Sequence, residues 1–76
     1  MIDTVETALR DAYWSSRANC RVMAFAAYEA LGLPVDGDRL PVLWRIIDGW
    51  CRNPSGLRFD AMAREVMKAI EEREVA

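Results

Sequence analysis

The sequence predicts a compact all-α domain of three helices over residues 1–76, and three observations support this prediction. No segment alternates apolar and polar residues with a period of two over a useful length, so strand signals are weak. Two stretches rich in Gly, Pro, Asn and Asp divide the chain into three segments. Apolar residues recur at helical spacing in each segment. We expect one long N-terminal helix at about 4–31 and two shorter helices at about 39–52 and 58–73.

The first helix has recognisable signals at both ends. Asp3 and Glu6 have the spacing of a capping box at its start. It ends in the sequence LGLP, residues 31–34, where the glycine can adopt a left-handed conformation and the proline cannot continue a helix. Ser15 and Ser16 are the one weak point inside, so two helices that bend there are the alternative. We favour one continuous helix.

The two shorter helices follow turn-forming residues. Asp38 is the expected N-cap of the second helix, and Pro41 is tolerated because it falls in the first turn. The sequence NPSG, residues 53–56, ends this helix. Asp60 is the expected N-cap of the third helix, or Ser55 if that helix begins earlier.

Two apolar surfaces predict a homodimer. The first helix has a face of mainly small residues, suited to close helix packing. The residues of this small-residue seam are Val5, Ala8, Leu9, Ala12, Ser16, Asn19, Met23, Ala26, Ala27 and Ala30. The second helix has an apolar arc of about 200°, wider than one neighbour covers. A dimer through the seam would bury these surfaces and relieve the marginal stability of a 76-residue chain.

A second face of the first helix alternates aromatic residues with arginines. Its members are Arg10, Trp14, Arg17, Arg21, Phe25 and Tyr28. One interpretation is structural, with the aromatic rings in the core and the arginine stems packed across them. Another is a protein-binding face, because Trp, Tyr and Arg dominate interface hot spots. A third is a nucleic-acid site, with arginines on phosphates and aromatic rings on bases.

The second helix adds a candidate contact edge. Leu43, Trp44 and Ile47 project toward the expected core. The contact edge consists of Val42, Ile46 and Trp50, on the side that a lone three-helix core leaves uncovered. Gly49 lies beside this edge and would let another helix come close.

The charges favour a protein partner over nucleic acid. The net charge is −2, and nine of the ten basic residues are arginines. Only three arginines lie within the main part of the aromatic–arginine face, with Asp11 and Glu29 close by. A DNA site normally neutralises more phosphates. The third helix also ends in glutamates, which do not suit a recognition helix.

The residue inventory predicts a protein without catalysis, cofactor or metal. The chain has no histidine, no glycine-rich nucleotide loop and no convergent pair of carboxylates. Cys20 and Cys51 have no metal or redox spacing, and we expect inert thiols. No signal peptide is visible, and no apolar run approaches the roughly 18 residues of a membrane span. We therefore expect a cytoplasmic protein that does not contact a membrane.

These observations predict a small, non-catalytic interaction protein that binds another protein and regulates or inhibits it. This class includes bacterial and phage regulators, antitoxins and inhibitors of host defence. The predicted contact residues are Arg10, Trp14, Arg17, Arg21, Phe25, Tyr28, Val42, Ile46 and Trp50. The alternative is a small helical regulator that binds nucleic acid.

Overall fold

A computed structural model of the chain describes residues 2–72, and the side chains of Ile2 and Pro54 lie outside this description. Over these residues the protein is all-helical and contains no strand. It has four α-helices and one 3-10 turn: α1 Ile2–Ser16, α2 Cys20–Leu31, α3 Leu40–Cys51, the turn Pro54–Gly56, and α4 Phe59–Glu72. Arg73, the last residue of the predicted third helix, lies outside the described residues.

The single long N-terminal helix was predicted wrongly, because the chain breaks between Ser16 and Cys20. The Ala18 N–H donates to the Tyr13 carbonyl over 2.8 Å, and Arg17 and Ala18 have φ of 57° and 62°. A hydrogen bond from the N–H of the second residue beyond a helix to the carbonyl five residues earlier, with a left-handed residue just before the donor, is a Schellman motif. The helix therefore ends as a glycine-terminated helix would, although arginine occupies the left-handed position.

The start of α2 is stabilised by Asn19. Its side-chain oxygen accepts hydrogen bonds from the backbone N–H groups of Arg21 and Val22, at 3.0 and 3.3 Å. This is the normal geometry of an N-cap, which satisfies N–H groups that have no partner inside the helix. Ser16 also donates its hydroxyl hydrogen bond to the Ala12 carbonyl, a local bond that competes with helix continuation.

The same C-terminal motif ends α2, as the sequence predicted. Gly32 has φ of 69°, and its N–H donates to the Glu29 carbonyl over 3.0 Å. The Leu33 N–H donates to the Tyr28 carbonyl over 3.1 Å. Two successive helices thus end in one geometry, with glycine at the left-handed position of the second and arginine at that of the first.

Two predicted N-caps were wrong. Arg39 precedes α3 without any side-chain cap bond, and Asp38 instead donates its N–H to the Asp36 carboxylate over 3.0 Å. Asp60 lies inside the first turn of α4, where its carboxylate accepts a hydrogen bond of 2.7 Å from Arg58. Pro41 does fall in the first turn of α3, as expected.

The helices form an antiparallel bundle in which each packs against its neighbours in chain order, and α1 also packs against α4. Only three residues join α1 to α2, so these helices form a tight hairpin. The Tyr13 ring at the end of α1 lies 5.4 Å from the Phe59 ring at the start of α4. The α1–α2 and α3–α4 connections therefore lie at the same end of the bundle.

The hydrophobic core uses residues from all four helices. Its buried members are Val5, Leu9, Ala12, Met23, Ala24, Ala27, Tyr28, Leu43, Ile47, Met62, Ala63, Val66, Ala69 and Ile70. Five residues of the small-residue seam are among them. Three further seam alanines, Ala8, Ala26 and Ala30, are half-buried along one groove between α1 and α2. The seam that was predicted to join two copies instead packs α1 against α2.

Candidate interaction surface

The end of the bundle that holds the two short connections has the most exposed aromatic side chain. We call this end the turn end, and the opposite end, with the α2–α3 connection, the terminal end. The turn end brings together Arg17–Asn19 and residues 52–58. Because α2 and α3 also pack against each other, the start of α2 lies near the end of α3 at this end.

Trp14 is the most exposed large apolar residue among the described residues, with 72% of its surface accessible. Its ring stands at 89° to that of Tyr13, with the centroids 5.0 Å apart. Tyr13 packs edge-on against Phe59, at 73°. Trp14 is therefore the outermost member of an aromatic cluster of three rings. This cluster holds the base of the indole and leaves most of it accessible to a partner.

Arg10 lies beside this cluster in a fixed orientation. Its guanidinium is 2.7 Å from a carboxylate oxygen of Glu6 and 5.6 Å from the centroid of the Phe59 ring. The ion pair is exposed, so it contributes little to stability. Its effect is to hold the guanidinium in one place, since the carboxylate and the ring constrain it together.

Arg17 and Arg21 form no ion pair with any described residue. Arg17 lies at the tip of the α1–α2 connection and is exposed. The Arg21 guanidinium lies 4.9 Å from the centroid of the Trp44 ring. Stacking on a ring uses the face of a guanidinium and leaves its edge N–H groups able to bind a carboxylate in two hydrogen bonds.

The continuous aromatic–arginine face was predicted wrongly, because the chain reverses after Arg17. Trp14 lies on α1, and Arg21 and Phe25 lie on α2. Phe25 is 46% exposed, one turn beyond Arg21. Tyr28 is only 2% exposed and belongs to the core, so its side chain is not on a contact surface.

The predicted contact edge on α3 lines a groove. Val42 is 38% exposed, whereas Ile46 and Trp50 are half-buried and pack against the core. Ile46, Gly49 and Trp50 line a groove of about 420 Å³ that extends to Glu65 on α4. A Cβ atom added at Gly49 would meet no atom within 4 Å, so the space above this glycine is open.

The charges of the protein separate along the bundle. The turn end, taken as residues 13–21 and 48–60, has four arginines and two aspartates, a net charge of +2. The terminal end, taken as residues 2–7, 27–41 and 66–72, has seven carboxylates and two cations, a net charge of −5. The residues between these two groups have a net charge of +1.

Two of the four turn-end arginines are already paired. Arg52 lies 2.8 Å from a carboxylate oxygen of Asp48, and Arg58 lies 2.7 Å from one of Asp60. The hydrogen bond from Arg58, together with backbone N–H donors, lowers the pKa of the Asp60 carboxyl. Arg17 and Arg21 are the two turn-end arginines that form no ion pair with another residue of 2–72.

Sequence reasoning missed two features of this end. Tyr13 and Phe59 were not recognised as supports of Trp14, and Arg52 and Arg58 were not placed at the same end as Arg17. The first omission had a signal, because Tyr13 adjoins Trp14 in the chain. The second required the antiparallel arrangement, which depends on a break that the sequence analysis gave only as the alternative to one continuous helix.

The two thiols are free and half-buried. Burial is the main cause that raises the pKa of Cys51 above its ordinary value, and the nearby Cys20 and Asp48 raise it further. Residues 2–72 contain no group of three or more Cys, Asp or Glu side chains arranged to hold a metal ion. None of the described helices has the length and apolar character needed to cross a membrane.

Comparison with known proteins gives no relative from which to transfer a function. No protein-family model matches the chain, and no match was found among curated proteins or among solved structures.

Proposed function

We propose that the protein is a non-catalytic interaction module that acts in the cytoplasm and regulates or inhibits a partner protein. The observation that carries this proposal is the 72% exposure of Trp14 at the end of the bundle that also holds two arginines without ion pairs to described residues. The core is filled by other residues, and Trp14 is absent from it. A large aromatic residue held by its base at a cationic surface is the typical composition of an interface hot spot.

In this proposal each residue of the turn end has a separate role. Trp14 inserts into an apolar pocket of the partner, where burial of the ring supplies most of the affinity. Arg17 and Arg21 bind carboxylates at the rim and fix the orientation of the complex. Truncation of a residue of this kind typically costs about 2 kcal/mol or more of binding free energy.

Site-specific photocrosslinking tests the proposal. A benzophenone amino acid placed at position 14 should give a discrete crosslinked species in cells of the native host, which mass spectrometry identifies as a complex with one protein. The same probe at Lys68, an exposed residue of α4 toward the terminal end, is the matched control. It should not give this species.

Equal crosslinking from both positions, or none from position 14, would contradict the proposal. The identified protein should then be purified and its binding measured directly with the wild-type chain. This step separates a specific partner from an abundant bystander, because only a partner binds saturably at a defined stoichiometry.

We also propose a homodimer, which would form through a surface other than the turn end. The small-residue seam is used within the chain, so the surface left for a second copy is the contact edge of Val42, Ile46 and Trp50 with its open groove. We propose a two-fold contact in which Arg45 of each copy faces Glu65 of the other, because both residues line this groove.

Multi-angle light scattering at micromolar concentration tests the dimer. It should give twice the chain mass of 8.6 kDa for the wild type. It should give a single chain for Gly49→Trp, which fills the groove. A single-chain mass for the wild type would reject the dimer and leave the turn-end proposal unaffected.

A further inference from the structure

We infer that the partner segment that docks at the turn end is acidic, with carboxylates flanking an apolar side chain. This inference rests on the proposed function and adds the chemistry of the partner. It is argued from the separation of charge along the bundle, which the fold creates from a chain that is acidic overall. An interaction surface of this composition selects its partner by charge complementarity.

The separation of charge is large for a chain of this size. A protein of net charge −2 has a turn end of +2 and a terminal end of −5. The field of the turn end therefore attracts acidic segments, while the terminal end repels them, so an acidic partner arrives with the turn end foremost. A basic or neutral partner would gain nothing from this orientation.

The hydrogen-bonding capacity of the turn end also favours carboxylates. Asp48 and Asp60 satisfy Arg52 and Arg58 within the chain, whereas Arg17 and Arg21 bind no described carboxylate. The Arg21 guanidinium lies over the Trp44 ring, which restricts its position. Two guanidiniums that lack partners, one of them preorganised, match two carboxylates of a docking segment.

The apolar part of the segment follows from Trp14. The indole lies at the same end of the bundle as the unpaired arginines and is exposed over most of its surface, so a carboxylate pair alone would leave it in water. A segment that also offers an apolar side chain covers the ring and adds the burial of apolar surface to the ion pairs. Two free guanidiniums are too few for the multiple phosphate contacts that give nucleic acids their affinity.

Peptide display identifies the preferred segment without knowledge of the natural partner. The full chain is immobilised through its N-terminus at the terminal end and screened with a library of random 16-residue peptides in low salt. Asp and Glu should be enriched in the bound peptides on both sides of an apolar or aromatic residue. The best peptide is then synthesised, and its affinity is measured by fluorescence anisotropy.

Two charge-matched double variants locate the bound peptide. Arg17→Glu with Arg21→Glu should weaken the peptide by at least about tenfold, and so should Trp14→Ala. Arg64→Glu with Lys68→Glu removes the same number of positive charges from α4 and should change the affinity by less than about twofold. A uniform long-range effect of net charge would weaken both double variants equally.

Several results would overturn the inference. These are enriched peptides without an acidic bias, acidic peptides that bind all variants equally, or no enriched peptide. Two further results would assign the surface to another occupant: displacement of the peptide by a 20-nucleotide DNA or RNA at equal concentration, or self-association at low salt that high salt reverses. Crosslinking from position 14 to a partner would still support the proposed function after any of these results. Failure of the inference about the acidic segment is therefore distinguishable from failure of the proposed function.

Discussion

Leu9 and Trp14 lie on the same helix and have opposite environments. Leu9 is fully buried in the core, and Trp14 is 72% exposed. We expect Leu9→Ala to lower the free energy of unfolding by about 2–5 kcal/mol, because it removes buried methyl groups and leaves a cavity. We expect Trp14→Ala to cost less than about 1 kcal/mol, since it loses mainly an edge contact with Tyr13.

Urea denaturation followed by circular dichroism measures both variants under one condition. Equal destabilisation by the two substitutions would show that Trp14 supports the fold and would remove the basis for its role as a contact residue. The pair forms a matched test, because both substitutions replace a large apolar side chain by alanine in α1.

The pKa of Cys51 predicts a loss of stability at alkaline pH. Its pKa is raised in the folded protein, mainly by burial. Burial of the neutral thiol therefore contributes its full share to the stability of the fold below the ordinary thiol pKa of about 8.5. This contribution is lost as the pH rises through the raised pKa of Cys51 in the folded protein. The wild type should lose more stability than Cys51→Ala between about pH 8 and pH 10.

Thermal unfolding at a series of pH values measures this difference. Cys20→Ala is the control, because it removes a secondary cause of the raised pKa of Cys51 and leaves Cys51 buried. Parallel losses of stability in the wild type and Cys51→Ala would contradict the assigned cause. Other groups titrate in this range, but they are common to both proteins and cancel in the comparison.

At the scale of the elements, the end of α1 places the proposed contact residue Arg17 in a backbone conformation that lowers stability. Arg17 adopts a left-handed conformation that glycine adopts without steric cost, and α2 uses glycine at the corresponding position. An L-residue there costs roughly 1–2 kcal/mol. Retention of arginine where glycine fits better is consistent with a role in binding, as stability is often lower at functional sites.

This reasoning predicts opposite effects of one substitution. Arg17→Gly should raise the free energy of unfolding by about 1 kcal/mol and weaken binding of the partner or of the selected peptide. Ala18→Gly also relieves a positive φ and should raise stability without loss of binding. Denaturation and anisotropy measurements on both variants test the prediction, and unchanged binding by Arg17→Gly would contradict the role of its guanidinium.

The elements also show how far the sequence could be interpreted. Helical periodicity and turn residues placed α3 and the start of α4 within one residue of their observed bounds. The break before α2 was missed because its left-handed positions carry Arg17 and Ala18, and neither residue type signals a helix end. Asn19, an effective N-cap inside an otherwise helical pattern, was the available signal.

At the scale of the whole molecule, one missed break changed both predicted surfaces. A continuous helix would have exposed the small-residue seam to a second copy and kept the aromatic–arginine face intact. The hairpin instead buries the seam within the chain and leaves Trp14, Arg17 and Arg21 as the surviving part of that face, near one end. Sequence reasoning named all three residues, but it could not place them at one end of a bundle without the topology.

The topology also produces the separation of charge. In an antiparallel bundle, residues near alternate connections lie together even when they are far apart in the chain. Arg17 and Arg52 follow the C-termini of α1 and α3, where the helix dipoles favour cations. Composition alone gives a mildly acidic protein and hides this local excess of positive charge.

The most direct test of the turn end as the partner-binding surface is quantitative affinity capture from the native host with the wild type, Arg17→Glu/Arg21→Glu and Arg64→Glu/Lys68→Glu. All three chains should have the same helical circular dichroism spectrum, because the substituted residues are exposed. One captured protein should be lost with the turn-end double variant and kept with the control. Capture of the same proteins at the same levels by all three chains would contradict the account.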